Sequence, residues 1–230
     1  ETAAGTVLYL YYDASHADNT NYIGDPGSLP AKRIWDKFTS YQIDYGGVWH
    51  LDEAVSDGTP GGQKDSSPNN NHGTPRNFQD GGGGATGTTG KIDGADNFAG
   101  DDDYVTVSSP TNTNPSVDLT VSAWIKVNGP ISYNGEIVSR GDSYGLRVWT
   151  NGRVLFFKYV GSNQWVNMAP EGINVIDGAY HYIVGVQSGT GMKLYIDGVE
   201  RDSNDNDTAI DYGLGSTLEI GRHGNGSPNY

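Results

Sequence analysis

The sequence predicts an all-β protein, a β-sandwich or barrel. Three observations point there. Tyr180 to Arg201 alternates twice: His181, Ile183 and Gly185 oppose Tyr182, Val184 and Val186, then Leu194 and Ile196 oppose Lys193, Tyr195 and Asp197. Period-2 alternation rich in β-branched and aromatic residues is the strand signal. Short apolar runs of the same kind recur along the chain, many of them separated by Gly or Asn-Gly turns. The composition, with 34 Gly, 15 Tyr and 5 Trp in 230 residues, suits short strands joined by tight turns, and no long helical periodicity is present.

In chain order, Thr6 to Asp13 (TVLYLYYD) reads as a strand. Ser28 to Phe38 fits one short helix, with Ser28 as cap, Pro30 in the first turn, and Ile34 and Phe38 on one face; an irregular loop closed by Trp35 fits nearly as well. Val48 to Leu51 opens the main body, and a loop rich in Gly, Pro, Asn and Asp runs from Asp57 to Asn77. Gly81 to Gly84 and the few residues after them read as a flexible Gly/Thr loop. Strands follow at Ala95–Phe98, Tyr104–Val107, Leu119–Val127, Glu136–Arg140, Tyr144–Trp149, Arg153–Tyr159 and Trp165–Asn167, then the 180–201 meander and Thr217–Gly221. Within the meander, Ser188 to Gly191 and Asp197-Gly198 are the turns. The expected inward positions are Phe98, Val121, Trp124, Ile137, Leu146, Leu155, Ile183, Leu194, Ile196 and Ile220.

The formal net charge is −14, from 28 acidic and 14 basic residues. Such a field repels phosphate backbones, which argues against nucleic acid, and it suits cations. There is no cysteine and hence no disulfide framework, and no apolar run approaches a membrane span. The first residue is Glu1, which fits a processed or excised piece of a longer protein.

The ordered set VWHLDEA (48–54), KDSSPNNNHG (64–73), ADNFAGDDDYVTV (95–107), LTVSAWIKV (119–127), GEIVSRGDSYGLRV (135–148), INVIDGAYHYIVGVQSGTGMKLYIDG (173–198) and STLEIGR (216–222) resembles the laminin G-like, concanavalin A-like jelly roll of bacterial and archaeal surface proteins. The resemblance implies two packed antiparallel sheets over 46–230 and a role that is mostly non-catalytic: binding glycans or proteins, often around calcium, outside the cell. Residues 1–45 then form an N-terminal extension. Their strand, ending in Tyr11-Tyr12-Asp13, resembles the tail of a domain of unknown function that often precedes such modules.

Candidate metal ligands are Asp65, with Asn69, Asn70 and Asn71 as amide donors, and Asp102 within the Asp101–Asp103 run. The first loop also reads as Asx turns satisfying their own backbone, and the second as a solvated turn. The resemblance ties the first segment to a structural calcium. Asp202 to Asp207 mimics the start of an EF-hand loop but lacks its sixth-position Gly and twelfth-position Glu, and reads as a solvated connection. Arg140-Gly141-Asp142 matches the integrin tripeptide by chance. Trp149, Tyr159 and Trp165, with Phe157, could make a sugar-stacking platform or belong to the core. Asp52 and Glu53, adjacent on an expected strand, would point to opposite faces and could not act as a carboxylate pair.

These readings predict a non-enzymatic extracellular adhesive or carbohydrate-binding module, stabilised by calcium, whose partner is a glycan or a surface protein. A structural filament subunit competes: the sandwich would lack a strand after STLEIGR, and Thr6 to Asp13, in cis or from another copy, would complete it. A polysaccharide-degrading enzyme ranks last.

Overall fold

The structure is a computed structural model that describes residues 45–78 and 84–223. The expected strand at Thr6–Asp13, the 28–38 segment and the tail beyond His223 lie outside the described residues, and strand exchange with them. The strands are β1 (Thr74–Arg76), β2 (Ala85–Thr89), β3 (Gly94–Asn97), β4 (Tyr104–Val107), β5 (Leu119–Lys126), β6 (Gly135–Arg140), β7 (Tyr144–Val148), β8 (Val154–Tyr159), β9 (Trp165–Met168), β10 (Tyr180–Ser188), β11 (Gly191–Ile196), β12 (Val199–Asn204) and β13 (Leu218–Ile220). A seven-stranded sheet, β1-β4-β13-β6-β7-β8-β9, faces a four-stranded one, β12-β11-β10-β5; β2 and β3 form a separate ribbon. All pairings are antiparallel. Among the described residues there is no helix, and so none long and apolar enough to cross a membrane.

Alternation explains the sandwich. On β10 and β11, Ile183, Leu194 and Ile196 turn inward beside Met192, against Leu146, Val148, Val154 and Phe156 of the larger sheet. Gly185 is needed at the contact, since a Cβ there would lie 2.7 Å from the Phe156 ring. The two tight turns also stand as expected, with Asp197 and Gly198 both at positive φ, 54° and 78°.

Four expectations need correction. Trp124 points outward, 44% exposed; on β5 the buried parity is Leu119, Val121, Ala123 and Ile125, and Trp124, three residues from Val121, cannot share its face. Leu155 is buried but lies on the outer side of β8, where Val154 and Phe156 face the core. The Gly/Thr stretch is not loop throughout, because Ala85–Thr89 pairs with β3. Asp202 to Asn204 are not a connection but the end of β12. Of the other expected core residues, Val121 and Ile137 pack against the central cluster. Phe98 packs edge-on against Phe78, 5.1 Å between centroids, and Ile220 is half-buried opposite Val105 and Val138.

Lys158 is fully buried between the sheets and donates to Gln187 Oε1 and to the carbonyls of Asn206 and Thr208. Burial holds its pKa below the usual lysine range, with Asp207 acting the other way.

Candidate functional site

The acidic and aromatic residues singled out by sequence fall into separate places. Asp65, fully buried, organises the 65–71 loop. Its Oδ1 accepts from the Val48 and Ser67 amides, and its Oδ2 from Ser67 Oγ and the Asn71 amide. Asn71 ties the loop to Gly46 and Thr111 through both ends of its amide, and Asn69 bonds Asn112 and the Tyr45 carbonyl. A carboxylate has about four acceptor positions, so those of Asp65 are all taken. Asp102 belongs elsewhere, in a trio with Asp101 and Asp103 whose ligand atoms lie within 4.8 Å of one another. Its Oδ2 accepts from Asn77 Nδ2.

The three ring residues occupy two ends of one face. Trp165 lies over Tyr159, 4.9 Å between centroids, and is 39% exposed, whereas Tyr159 is buried. The Trp165 indole N–H donates to the Asp142 carbonyl. Trp149 is half-buried beneath the Arg153 guanidinium, at the other end of β8. Six residues of strand separate the two ends, about 20 Å, so one sugar ring cannot touch both.

Between them lies a polar cluster. Glu136 pairs with Arg147, and His223 Nε2 pairs with Asp142 Oδ1 at 3.1 Å. The His223 ring lies parallel to Phe157 at 6.1 Å. Burial pushes Glu136 up to about 6, against the charges of Arg147 and His223. Burial pulls His223 down, but Asp142 and Glu136 outweigh it and its pKa is raised. The integrin-like tripeptide is built into the fold, since Arg140 is buried and bonds Thr113 Oγ1 and the Gly215 carbonyl.

Sequence reasoning missed two groups. On the outer face of the smaller sheet, Trp124 stands directly opposite Tyr182, and Lys126 opposite Tyr180. The Trp124 and Tyr182 rings are 5.2 Å apart. Lys91, on the β2–β3 turn, reaches the Trp124 and Tyr180 rings at 5.6 and 5.9 Å, and Lys126 covers Tyr180 at 5.4 Å. Strict alternation from Val121 would have revealed this patch. The second group contains Asp52 and Glu53. They lie on no strand, because Leu51 adopts a positive φ of 59° and breaks the extended backbone. The opposite-face argument therefore does not apply, and the Asp52 charge reaches Glu53.

A shallow depression of about 360 Å³ is lined by Gly129, Pro130, Thr150, Asn151, Asn174 and Ile176, none of them titratable.

Two facing antiparallel sheets of this make define a concanavalin A-like jelly roll. The profile of the concanavalin A-like lectin/glucanases superfamily, in its laminin G form, matches residues 99–230, more than half of the chain, and the chain belongs to that family. The chain matches no curated protein. Among solved structures it is similar to an HCR/D mutant (15% identity, TM-score 0.50, covering 76% of this chain and 42% of that one). It is also similar to domain 4 of AbnA, a GH43 extracellular arabinanase from Geobacillus stearothermophilus in complex with arabinotriose (18%, TM-score 0.46, 58% and 64%). A third is mouse laminin alpha1 chain domains LG4-5 (20%, TM-score 0.39, 51% and 31%). At these identities the likeness is one of fold. The chain spans about a third, 31% and 32%, of the first botulinum neurotoxin chains it matches.

Proposed function

We propose that this protein is a non-catalytic carbohydrate-binding module that works outside the cell. The observation that carries the proposal is the Trp124–Tyr182–Tyr180 surface with Lys91 and Lys126 beside it. Aromatic faces stack on the C–H faces of sugars, and rings set on paired strands lose little freedom when they bind. The two ammonium groups supply donors to sugar hydroxyls or carboxylates on a protein whose net charge is −14. A glycan array followed by titration tests it. Binding that falls at least tenfold in Trp124→Ala, with the fold kept, is the expected result. Binding retained there but lost in Trp165→Ala moves the site to the Trp165–Tyr159 pair. Concentration-dependent multimers with no glycan hit favour the structural-subunit reading instead.

Calcium stabilisation is part of the same proposal. Asp102, with Asp101 and Asp103, offers the carboxylate trio, whereas a cation at Asp65 would have to displace an existing hydrogen bond. A ligand of the folded state raises stability by mass action, so a chelator should lower the melting temperature. An identical melting curve in excess chelator rules it out.

A further inference from the structure

The two flanks of the four-stranded sheet are finished differently. On one flank β12 carries Glu200, Arg201 and Asp202, and a register shift at Leu194/Tyr195 disturbs its ladder to β11. Charge and irregular pairing are how natural sheets blunt an edge. On the other flank β5 has neither guard. Its residues LTVSAWIK pair with β10 over eight consecutive positions without a shift, and their one charge is Lys126 at the end. Among the described residues β10 is the only strand that pairs with β5. The Val127 carbonyl accepts from the Gly178 amide on the β10 side. Backbone groups alternate in direction along an antiparallel strand, so the N–H and C=O groups of Thr120, Ser122, Trp124 and Lys126 point away from β10. The core is thinner on this flank too. Ile183 on β10 and Leu194 on β11 are fully buried, whereas Leu119, Val121, Ala123 and Ile125 on β5 are half-buried.

We propose that β5 is a dimer edge, pairing antiparallel with β5 of a second copy about a two-fold axis at Ser122. The occupant and the register both follow from self-complementarity. Residues that face each other in an antiparallel pair lie on the same side of the sheet. With Ser122 opposite Ser122, Leu119 faces Ile125 and Val121 faces Ala123 on the inner side, and Thr120 faces Trp124 on the outer side. The same register sets Asp118, exposed and just ahead of the strand, opposite the exposed Lys126, and symmetry makes that pair twice. Neither has an ionic partner among the described residues. A register with Ala123 on the axis loses the match, because Asp118 then faces Asn128 and Lys126 faces Thr120. Opposite charges facing across strands stabilise a pair, and like charges oppose it. A net charge of −14 keeps two copies apart in general, but β5 itself carries no acid. Pairing joins the two four-stranded sheets into one of eight strands. The contact is isologous, so it closes at two copies instead of growing into a fibre. It sets the two Trp124–Tyr182–Tyr180 surfaces on one face, and it stands without any glycan.

Light scattering on a sizing column, over a concentration series without ligand, tests the proposal. Wild type should reach twice the chain mass of 24.6 kDa and go no higher. Ser122→Pro should fold and stay monomeric, because the N–H it removes points away from β10 and is needed only by the second copy. Asp118→Lys and Lys126→Asp should each weaken dimerisation about tenfold, since each sets like charges opposite one another twice. The two changes together should restore it. This charge series provides the reading should Ser122→Pro not fold. A wild type that stays monomeric at every concentration means that another part of the same chain covers β5, and growth past a dimer means a different contact. Either result overturns the proposal. So does a folded Ser122→Pro or a single charge reversal that dimerises like wild type, or a double change that fails to restore the dimer.

Discussion

Asp65 and Asp96 are both withdrawn from water in the same corner of the molecule, and their surroundings are opposite. Asp65 accepts from three backbone amides and one hydroxyl, with no acid among those partners. Asp96 accepts from one amide and one glutamine and feels the charges of Glu53 and Asp52. The first is a finished knot: its charge is compensated by donors that hold the loop. The second has surplus oxygen. An oxygen-rich sequence therefore does not distinguish a carboxylate that its donors satisfy from one left among buried charges of its own sign. What distinguishes them is the number of lone pairs left over.

The largest effect expected from this contrast is in Asp65→Ala. The change strands buried amide donors, each worth roughly 1–3 kcal/mol, so a loss of at least about 3 kcal/mol should appear in urea unfolding. A loss below about 1 kcal/mol would make the two acids alike.

Next in size is the pH dependence of stability. The folded pKa of Asp96 is raised from 3.8 to about 7, so the stability linked to it is present below pH about 4 and is lost as pH rises towards 7. At about 1.4 kcal/mol per pKa unit, the loss is at most about 4 kcal/mol. Glu136 and His223, both raised, act with the same sign over neighbouring ranges. The measurement is therefore the difference between wild type and Asp96→Asn: the variant should show the shallower fall from pH 5 to 8. Parallel curves would mean that Asp96 titrates normally.

The smallest effect is expected in Asn69→Ala. Its contacts with Asn112 and the Tyr45 carbonyl lie at the exposed rim of the knot, and the change should cost less than about 1 kcal/mol by thermal melting. A larger loss would extend the knot to the rim.

The sandwich was legible because its inner faces obey one periodicity. The alternation of β10 and β11 places Ile183, Leu194 and Ile196 correctly without further information. β8 defeats the same rule, since all six of its residues are buried. Only its pairing shows that Phe156, opposite Leu146, faces the core and Leu155 does not. Ala85–Thr89 carries small residues and no apolar alternation, so nothing local marks it as a strand. Asp65 was recognised as a loop organiser or ligand, but its saturation depends on the Val48 amide 17 residues away. The Asp52–Asp96 group was illegible for a stronger reason. Its members come together only after Leu51 turns left-handed and the β2–β3 ribbon folds back, and neither event leaves a periodic trace.

The seven-stranded sheet is joined at its middle by β13, only three residues long, with β4 on one side and β6 on the other. Without it the β1–β4 pair has no hydrogen-bonded link to the β6–β9 meander. The meander closes through short hairpins and can form early, whereas Val107 must wait for Leu218, more than a hundred residues later in synthesis. Closing so long a loop is entropically slow, and pairings this distant in sequence delay folding. On a ribosome the protein would therefore emerge with a nearly complete meander and an orphaned pair. The unfilled slot between them would be the place where a wrong strand, or a chaperone, binds first.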